Sequence, residues 1–235
     1  MDATLSAVWP IPQELELRND ALYLGEAAVV LPGSAEPSDV ALAHLFTDMV
    51  LDDFNLVVPV VQGRAPKGKK PIRLGVAGRG GVKAQANLPG AEGYMLRVSA
   101  DGVEAIGRDQ RGAQYAIATL LQLARKHGPD VIVRGAEVRD WPYKPVRMVH
   151  LYLPGVEHLA YARRYMRDFL VRYKYNGLFV EIGGGVRLRN RPELAAGWRS
   201  FVDELPLLSI QETAADRAPG AFAAEAVPLV PYTPA

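Results

Sequence analysis

An α+β layer leading into a parallel βαβ unit is expected from three features of this 235-residue sequence. Up to Trp141 the chain alternates short extended runs with two stretches whose apolar residues recur at three- and four-residue spacing, the pattern of strands covered by amphipathic helices. Beyond Pro142 the order becomes strand, helix, strand, which joins parallel strands through a right-handed crossover. A hydrophobic content of 49 % supplies the apolar surface for a core.

The opening runs ELELRNDALYL and AAVVLP alternate and are punctuated by Asn19, Asp20 and Gly25, which predicts two short strands and a turn. Ser38 is the expected cap of a helix whose inward positions are Val40, Leu42, Leu45, Phe46, Met49 and Val50. LVVPVV follows as a short strand, and GRAPKGKK reads as a solvated hairpin loop rather than a phosphate site. PIRLGVAG, GYMLRVSA and GVEAIGRD are three further strands, the last two joined at Ala100, Asp101 and Gly102, because an Asp-Gly pair tolerates the positive φ of a tight hairpin. Gln110 to Lys126 is expected to be a helix with Ala113, Ile117, Leu120, Leu121 and Ala124 on one face and Gly128 as its stop. VIVRGAEVRDWP closes the layer as an extended segment, over a sheet that is antiparallel or mixed.

In the second part VRMVHLYL is a strand, and His158 to Tyr173 a helix with Leu159, Ala162, Met166, Phe169, Leu170 and Tyr173 inward. NGLFVEI is the returning strand, and Trp198, Phe201, Val202 and Leu205 begin another helix. Past Leu205 the Ala- and Pro-rich text has no periodicity and reads as an irregular tail. The expected division is therefore 1–142, 143–205 and 206–235.

Formal charge is +1, from 27 Lys and Arg against 26 Asp and Glu, so no long-range field favours nucleic acid or anionic lipid. With no Cys there are no disulfides, thiolate metal sites or Cys nucleophile, and four His leave little for a metal cluster. The start MDATLSAVWP has neither a basic nor an apolar signal region, so the cytoplasm is the expected location. No apolar run reaches the ~18 residues of a membrane span.

The stretch KYNGLFVEIGGG carries the chemistry of most interest. Glu181 ends an apolar run and Gly183, Gly184 and Gly185 follow it. A carboxylate there can accept hydrogen bonds from a ligand's hydroxyls, and glycines let a ligand approach the backbone. The run has neither the G-x-G-x-x-G spacing nor the Lys of a phosphate loop. Arg147 is a second candidate for ligand contact, set against a structural role near a strand start in which it pairs with an acid such as Asp140. His150 reads as a satisfied strand histidine, Trp141 as packing, and Asp168 with Arg163, Arg164 and Arg167 as the solvated face of a helix.

The segment GYMLRVSADGVEAIGRDQRGAQYAIATLLQL, Gly93 to Leu123, resembles the N-terminal accessory domain of the family 20 glycoside hydrolases, the β-N-acetylhexosaminidases. The family's "DWP…R" text is matched by Asp140, Trp141, Pro142 and Arg147, and its "YKxN" by Tyr173, Lys174, Tyr175 and Asn176. The resemblance covers roughly residues 12–200. It implies that residues 143–205 open a (β/α)8 barrel, where chemistry sits at the C-terminal ends of the strands, and that the substrate is a carbohydrate handled without metal or organic cofactor. The expected substrate-binding set is Glu181, Gly183, Gly184 and Arg147.

Two departures accompany the resemblance. Tyr152 and Gly155 stand where the family has "D.SR", and Phe179, Glu181 and Gly183 to Gly185 stand where it has "HxHxTDDQ". The family's catalytic Asp-Glu pair, which serves a substrate-assisted reaction, belongs near a fourth barrel strand. From Tyr143 onward there are about 90 residues, against the roughly 250 of a complete barrel. The expected fold is thus an α+β N-terminal domain, a sheet with helices packed on it, followed by an incomplete (β/α)8 barrel, with no catalytic residue in this chain. The expected parent is a truncated or divergent glycosidase, and the alternative is a non-catalytic glycan- or protein-binding module. Expected partners are a carbohydrate, no nucleic acid, no membrane, and a second chain through the uncovered barrel part.

Overall fold

The computed structural model describes residues 8–79, 82, 87–152, 158–181 and 227–228. They fall into two units, Met1–Tyr143 and Lys144–Ala235.

The first unit is a mixed sheet with two helices on one face. Its strands are β1 (Glu14–Tyr23), β2 (Ala27–Leu31), β3 (Val60–Gln62), β4 (Lys70–Val76), β5 (Tyr94–Ser99), β6 (Gly102–Gly107), β7 (Ala124–His127) and β8 (Asp130–Asp140). The spatial order is β1-β8-β5-β6-β4-β2-β3, with β7 paired to β8. Pairs among β2, β3, β4 and β6 are parallel, whereas β1, β5, β7 and β8 pair antiparallel. Helices α1 (Pro37–Phe54) and α2 (Gln110–Leu123) supply the cover. Leu42, Phe46, Met49 and Val50 of α1 and Ala116, Ile117, Leu120 and Leu121 of α2 share one core with Leu74, Leu96, Val98, Val103, Val133 and Val138 of the strands. Period two on the strands and three to four on the helices bring these residues to the same side.

The opposite sheet face is charged. Outward residues of β1, β8, β5, β6 and β4 lie in register as Glu16, Glu137, Arg97, Glu104 and Arg73. Arg18 pairs with Glu137 at 2.5 Å and Arg139 with Glu14 at 2.7 Å. A hollow of about 570 Å³ over this face is lined by such mutually answering charges, including Glu14, Arg97, Glu104, Glu137 and Arg139, as on a solvated sheet surface.

Several boundaries differ from expectation. β1 is one strand with an irregularity between Leu17 and Ala21, so Asn19 and Asp20 sit in a bulge instead of a turn. Helix α1 starts at Pro37 after Glu36, whose backbone amide donates to Asp39 Oδ2 at 3.0 Å, and Ser38 lies inside the first turn. Helix α2 ends at Leu123 because Ala124 turns extended and β7 pairs with β8 from Ala124↔Val133 to His127↔Asp130. Gly128, at φ +61°, therefore serves a hairpin and not a helix stop. The run LVVPVV contributes only Val60 and Val61 to a strand, which Gln62 completes.

The second unit contains β9 (Met148–Tyr152), α3 (Leu159–Tyr165), a π-helical continuation (Met166–Val171) and β10 (Gly177–Glu181). Strands β9 and β10 pair in parallel, and a short β11 (Val227–Pro228) pairs antiparallel with β10. Leu170 is fully buried and Phe169 is half-exposed, stacked against Tyr165 at 5.3 Å. Asp168 pairs with Arg167 at 2.7 Å on the helix surface. Gly183 to Gly185, Gly155, the expected helix with Trp198, Phe201, Val202 and Leu205, and most of the tail 206–235 lie outside the described residues.

Candidate functional site

The two parallel strands of the second unit start from a fastened corner. Asn176 Oδ1 accepts from the Arg147 amide at 2.8 Å, its Nδ2 donates to the Pro145 carbonyl at 2.7 Å, and its own amide donates to the Arg147 carbonyl at 2.9 Å. Lys174, buried and at φ +62°, turns the chain so that its carbonyl meets Arg147 Nε at 2.8 Å. Arg147 Nη1 donates to the Lys144 carbonyl at 2.7 Å. The YKYN text is thus a side-chain-to-backbone clamp that aligns the beginnings of β9 and β10. Gly177, the first residue of β10, faces Met148 closely enough that a Cβ would approach Met148 Cγ to 2.9 Å.

Register carries this alignment to the other end of the strands. Phe179 sits opposite His150 and Glu181 opposite Tyr152, so alternation places His150, Tyr152, Phe179 and Glu181 on one face. His150 Nε2 lies 2.9 Å from Glu181 Oε2, with the two side chains about half exposed. The His150 ring centroid is 5.2 Å from that of Phe179, edge-on, and 5.6 Å from that of Tyr152. Tyr152 is 73 % exposed and Phe179 44 %. A contact between side chains this exposed contributes about 0–1 kcal/mol, so its main consequence is geometric: it holds one carboxylate oxygen, Oε2, beside the imidazole.

Of the expected site residues, Glu181 is at the C-terminal end of its strand. Arg147 is at the N-terminal start of β9, five residues and about 16 Å of strand before Tyr152. The two are not brought together, and the guanidinium of Arg147 is engaged by backbone carbonyls. Gly183 and Gly184 lie outside the described residues. His150, expected to be a satisfied strand residue, is half-exposed and paired with Glu181. That pairing spans 31 residues and becomes visible only with the parallel register in hand. Among the described residues no group of three or more His, Cys, Asp or Glu is arranged to hold a metal ion, and no helix is long and apolar enough to cross a membrane.

Asp140 and Trp141 of the DWP text sit at the end of β8. Asp140 is buried, accepts from the Tyr94 hydroxyl at 3.0 Å through Oδ2 and from the Gln13 amide at 3.1 Å through Oδ1. Trp141 lies under the Arg139 guanidinium, 5.1 Å from the ring centroid. Burial first, and the Asp140 charge second, push the Tyr94 hydroxyl well above its ordinary pKa.

A β-hexosaminidase from Porphyromonas gingivalis is 29 % identical over 141 residues, covering 57 % of this chain and 17 % of that protein. The fold is shared with the family 20 exo-β-N-acetylglucosaminidase of Vibrio harveyi, solved in complex with N-acetylglucosamine (TM-score 0.62, 18 % identity, covering 80 % of this chain and 28 % of that one). It is also shared with the family 20 β-N-acetylhexosaminidase of Streptomyces coelicolor (TM-score 0.60, 22 % identity, covering 75 % and 34 %). This chain therefore spans about a third or less of the length of these relatives. Residues 5–141 match the model of glycosyl hydrolase family 20, domain 2, and with more than half its length inside that match, the chain belongs to glycosyl hydrolase family 20.

Proposed function

We propose that the chain derives from a β-N-acetylhexosaminidase-type glycosidase acting on terminal N-acetylhexosamine or a related sugar. In this reading residues 1–142 are the accessory domain, residues 143–205 are the opening of a (β/α)8 barrel, residues 206–235 are an atypical tail, and the catalytic Asp-Glu pair is absent. The observation that carries it is order: a family 20 domain 2 over residues 5–141 leads straight into the parallel pair β9 and β10. In a (β/α)8 barrel the end of the strands at which Glu181 stands is the end that bears chemistry. A second chain bound through the uncovered barrel part belongs to the same reading, since two strands and a helix leave strand edges and apolar surface to cover.

The test is turnover. The purified 235-residue chain is expected to release no aryl alcohol from an aryl β-N-acetylglucosaminide above a buffer control. Hydrolysis that is measurable and is lost in Glu181→Gln would show that the chain holds its own catalytic carboxylate and would overturn the reading.

A second reading, a non-catalytic glycan- or protein-binding module, is favoured by one observation. The positions where the family carries "HxH" are here Phe179 and Glu181, an aromatic ring and a carboxylate presented together on an open face.

A further inference from the structure

We infer that residues 229–235, LVPYTPA, dock as a polyproline segment on the aromatic stripe of the helix between β9 and β10, with Pro231 and Pro234 stacked on its rings. The inference goes beyond the glycosidase reading and does not depend on it.

The stripe is built by spacing. Tyr161, Tyr165, Phe169 and Tyr173 recur every fourth residue along α3, its π-helical continuation and the turn that follows. Four residues of α-helix overshoot a full turn by about 40°, so such a row winds away from a straight line. The wider i→i+5 turn of Met166–Val171 takes that excess back. Successive rings therefore touch: Tyr165 and Phe169 stack at 5.3 Å, and Phe169 meets Tyr173 at 5.0 Å and Tyr175 at 5.9 Å. The core side of the helix is marked by the fully buried Leu170, whereas Phe169 is 39 % exposed and Tyr161 64 %. A ladder of open rings is a surface for flat apolar groups, and the proline rings of a polyproline helix are what such surfaces take up in peptide recognition.

This chain carries that partner, and the sheet delivers it to the stripe. Strand β11 pairs with β10 as Leu178↔Val227 and Gly177↔Pro228. Gly177 is the first residue of β10, so the ladder brings the chain to the corner where Tyr175 stands two positions before it. Pro228, Pro231 and Pro234 recur at every third residue. That is the repeat of a polyproline helix, which sets them on one edge about 9 Å apart. Two steps of the ring ladder, at 5.3 and 5.9 Å, cover a comparable distance, so consecutive prolines can meet alternate rings. Charge agrees with this seat: residues 226–235 contain no Asp, Glu, Lys or Arg, which suits the rings and not the face of Arg167 and Asp168. A polyproline segment also has little conformational freedom left to lose on docking.

The experiment is nuclear magnetic resonance on the isotope-labelled 235-residue chain, with a synthetic peptide of residues 225–235 as the undocked reference. The ring protons of Pro231 and Pro234 are expected upfield of their positions in the peptide, with cross-peaks to Phe169, Tyr173 or Tyr175, at every protein concentration. Phe169→Leu, which keeps an apolar side chain on the helix, is expected to remove most of the upfield shift. Pro231→Ala combined with Pro234→Ala lies outside the helix and is expected to change the Phe169 ring signals with the rest of the spectrum intact. Pro206→Ala, outside the docking segment, is expected to leave those signals unchanged. Proline shifts equal to those of the peptide would overturn the inference, as would cross-peaks confined to other aromatic residues. Cross-peaks that arise only between differently labelled copies in a mixed sample would show that a second copy supplies the segment, and would overturn docking within one chain.

Discussion

Asn176 illustrates how much one side chain fixes at the residue scale. Its amide group spans two backbone partners near the start of β9, donating to Pro145 and accepting from Arg147. Asn176→Ala leaves the Arg147 amide and the Pro145 carbonyl to find water, and is expected to lower the stability of the second unit by about 1–3 kcal/mol. Faster hydrogen exchange of the Arg147 amide, with exchange in β5 and β8 unchanged, is the measurement that checks it. The sequence text placed Asn176 in a family motif without giving its task. A side-chain bond across 29 residues has no periodicity to betray it. Arg147 shows the same limit from the other side: its charge suggested a ligand, but its Nε and Nη1 donate to the backbone carbonyls of Lys174 and Lys144. Glu181 was legible as a strand-end carboxylate, whereas its bond to His150 depends on a register that residue identity alone does not specify.

At the scale of elements, the start of α2 explains the glycines of the GY and GA text. Asp109 caps the helix, accepting from Gly112 N at 2.9 Å through Oδ1 and from Glu92 N at 2.7 Å through Oδ2. This draws the loop before β5 onto the first turn, where a Cβ on Gly112 would stand 2.2 Å from the Gly93 carbonyl oxygen. Gly112→Ala, though favourable for helix propensity, is therefore expected to destabilise the first unit by about 1–3 kcal/mol, as backbone overpacking does. Gly25→Ala meets nothing within 4 Å and is expected to be close to neutral. Urea midpoints of the two variants make the comparison. Asp109→Ala should cost about 1–2 kcal/mol through loss of the cap, read in the same assay. The existence and faces of α1, α2, β4, β5 and β6 were legible because hydrophobic period reports burial directly. The ends were less so. The sequence extends α2 to Lys126 because Ala124 continues its apolar face and Gly128 follows as a stop, whereas pairing with Asp130 to Val133 makes Ala124–His127 a strand.

Across the whole first unit, Tyr94 is where the layers meet. Its hydroxyl lies 2.6 Å from Thr119 Oγ1 of α2 and donates to Asp140 of β8, which in turn accepts from Gln13 just before β1. Strand, helix and chain exit are thus joined by one buried network, and buried networks are costly when a member is removed or charged. Burial and the Asp140 carboxylate raise the Tyr94 pKa well above 10.0, while in the unfolded chain it stays near about 10. Below that pH Tyr94 is protonated in both states and the network is intact. As pH rises past about 10 the unfolded state releases the proton and the folded state keeps it, so stability falls with increasing pH. Other tyrosines also ionise in this range, since the chain has 10, and the diagnostic quantity is a difference. Tyr94→Phe is expected to lose about 1–3 kcal/mol at neutral pH, because Thr119 and Asp140 each lose a buried partner. Its stability should then decline less steeply than that of the parent above pH about 10, with the two curves converging. Urea unfolding of both proteins between neutral and alkaline pH reads the difference. Parallel curves would mean that Tyr94 ionises as freely in the folded unit as in the unfolded chain, and that the hydroxyl is not sealed between α2 and β8.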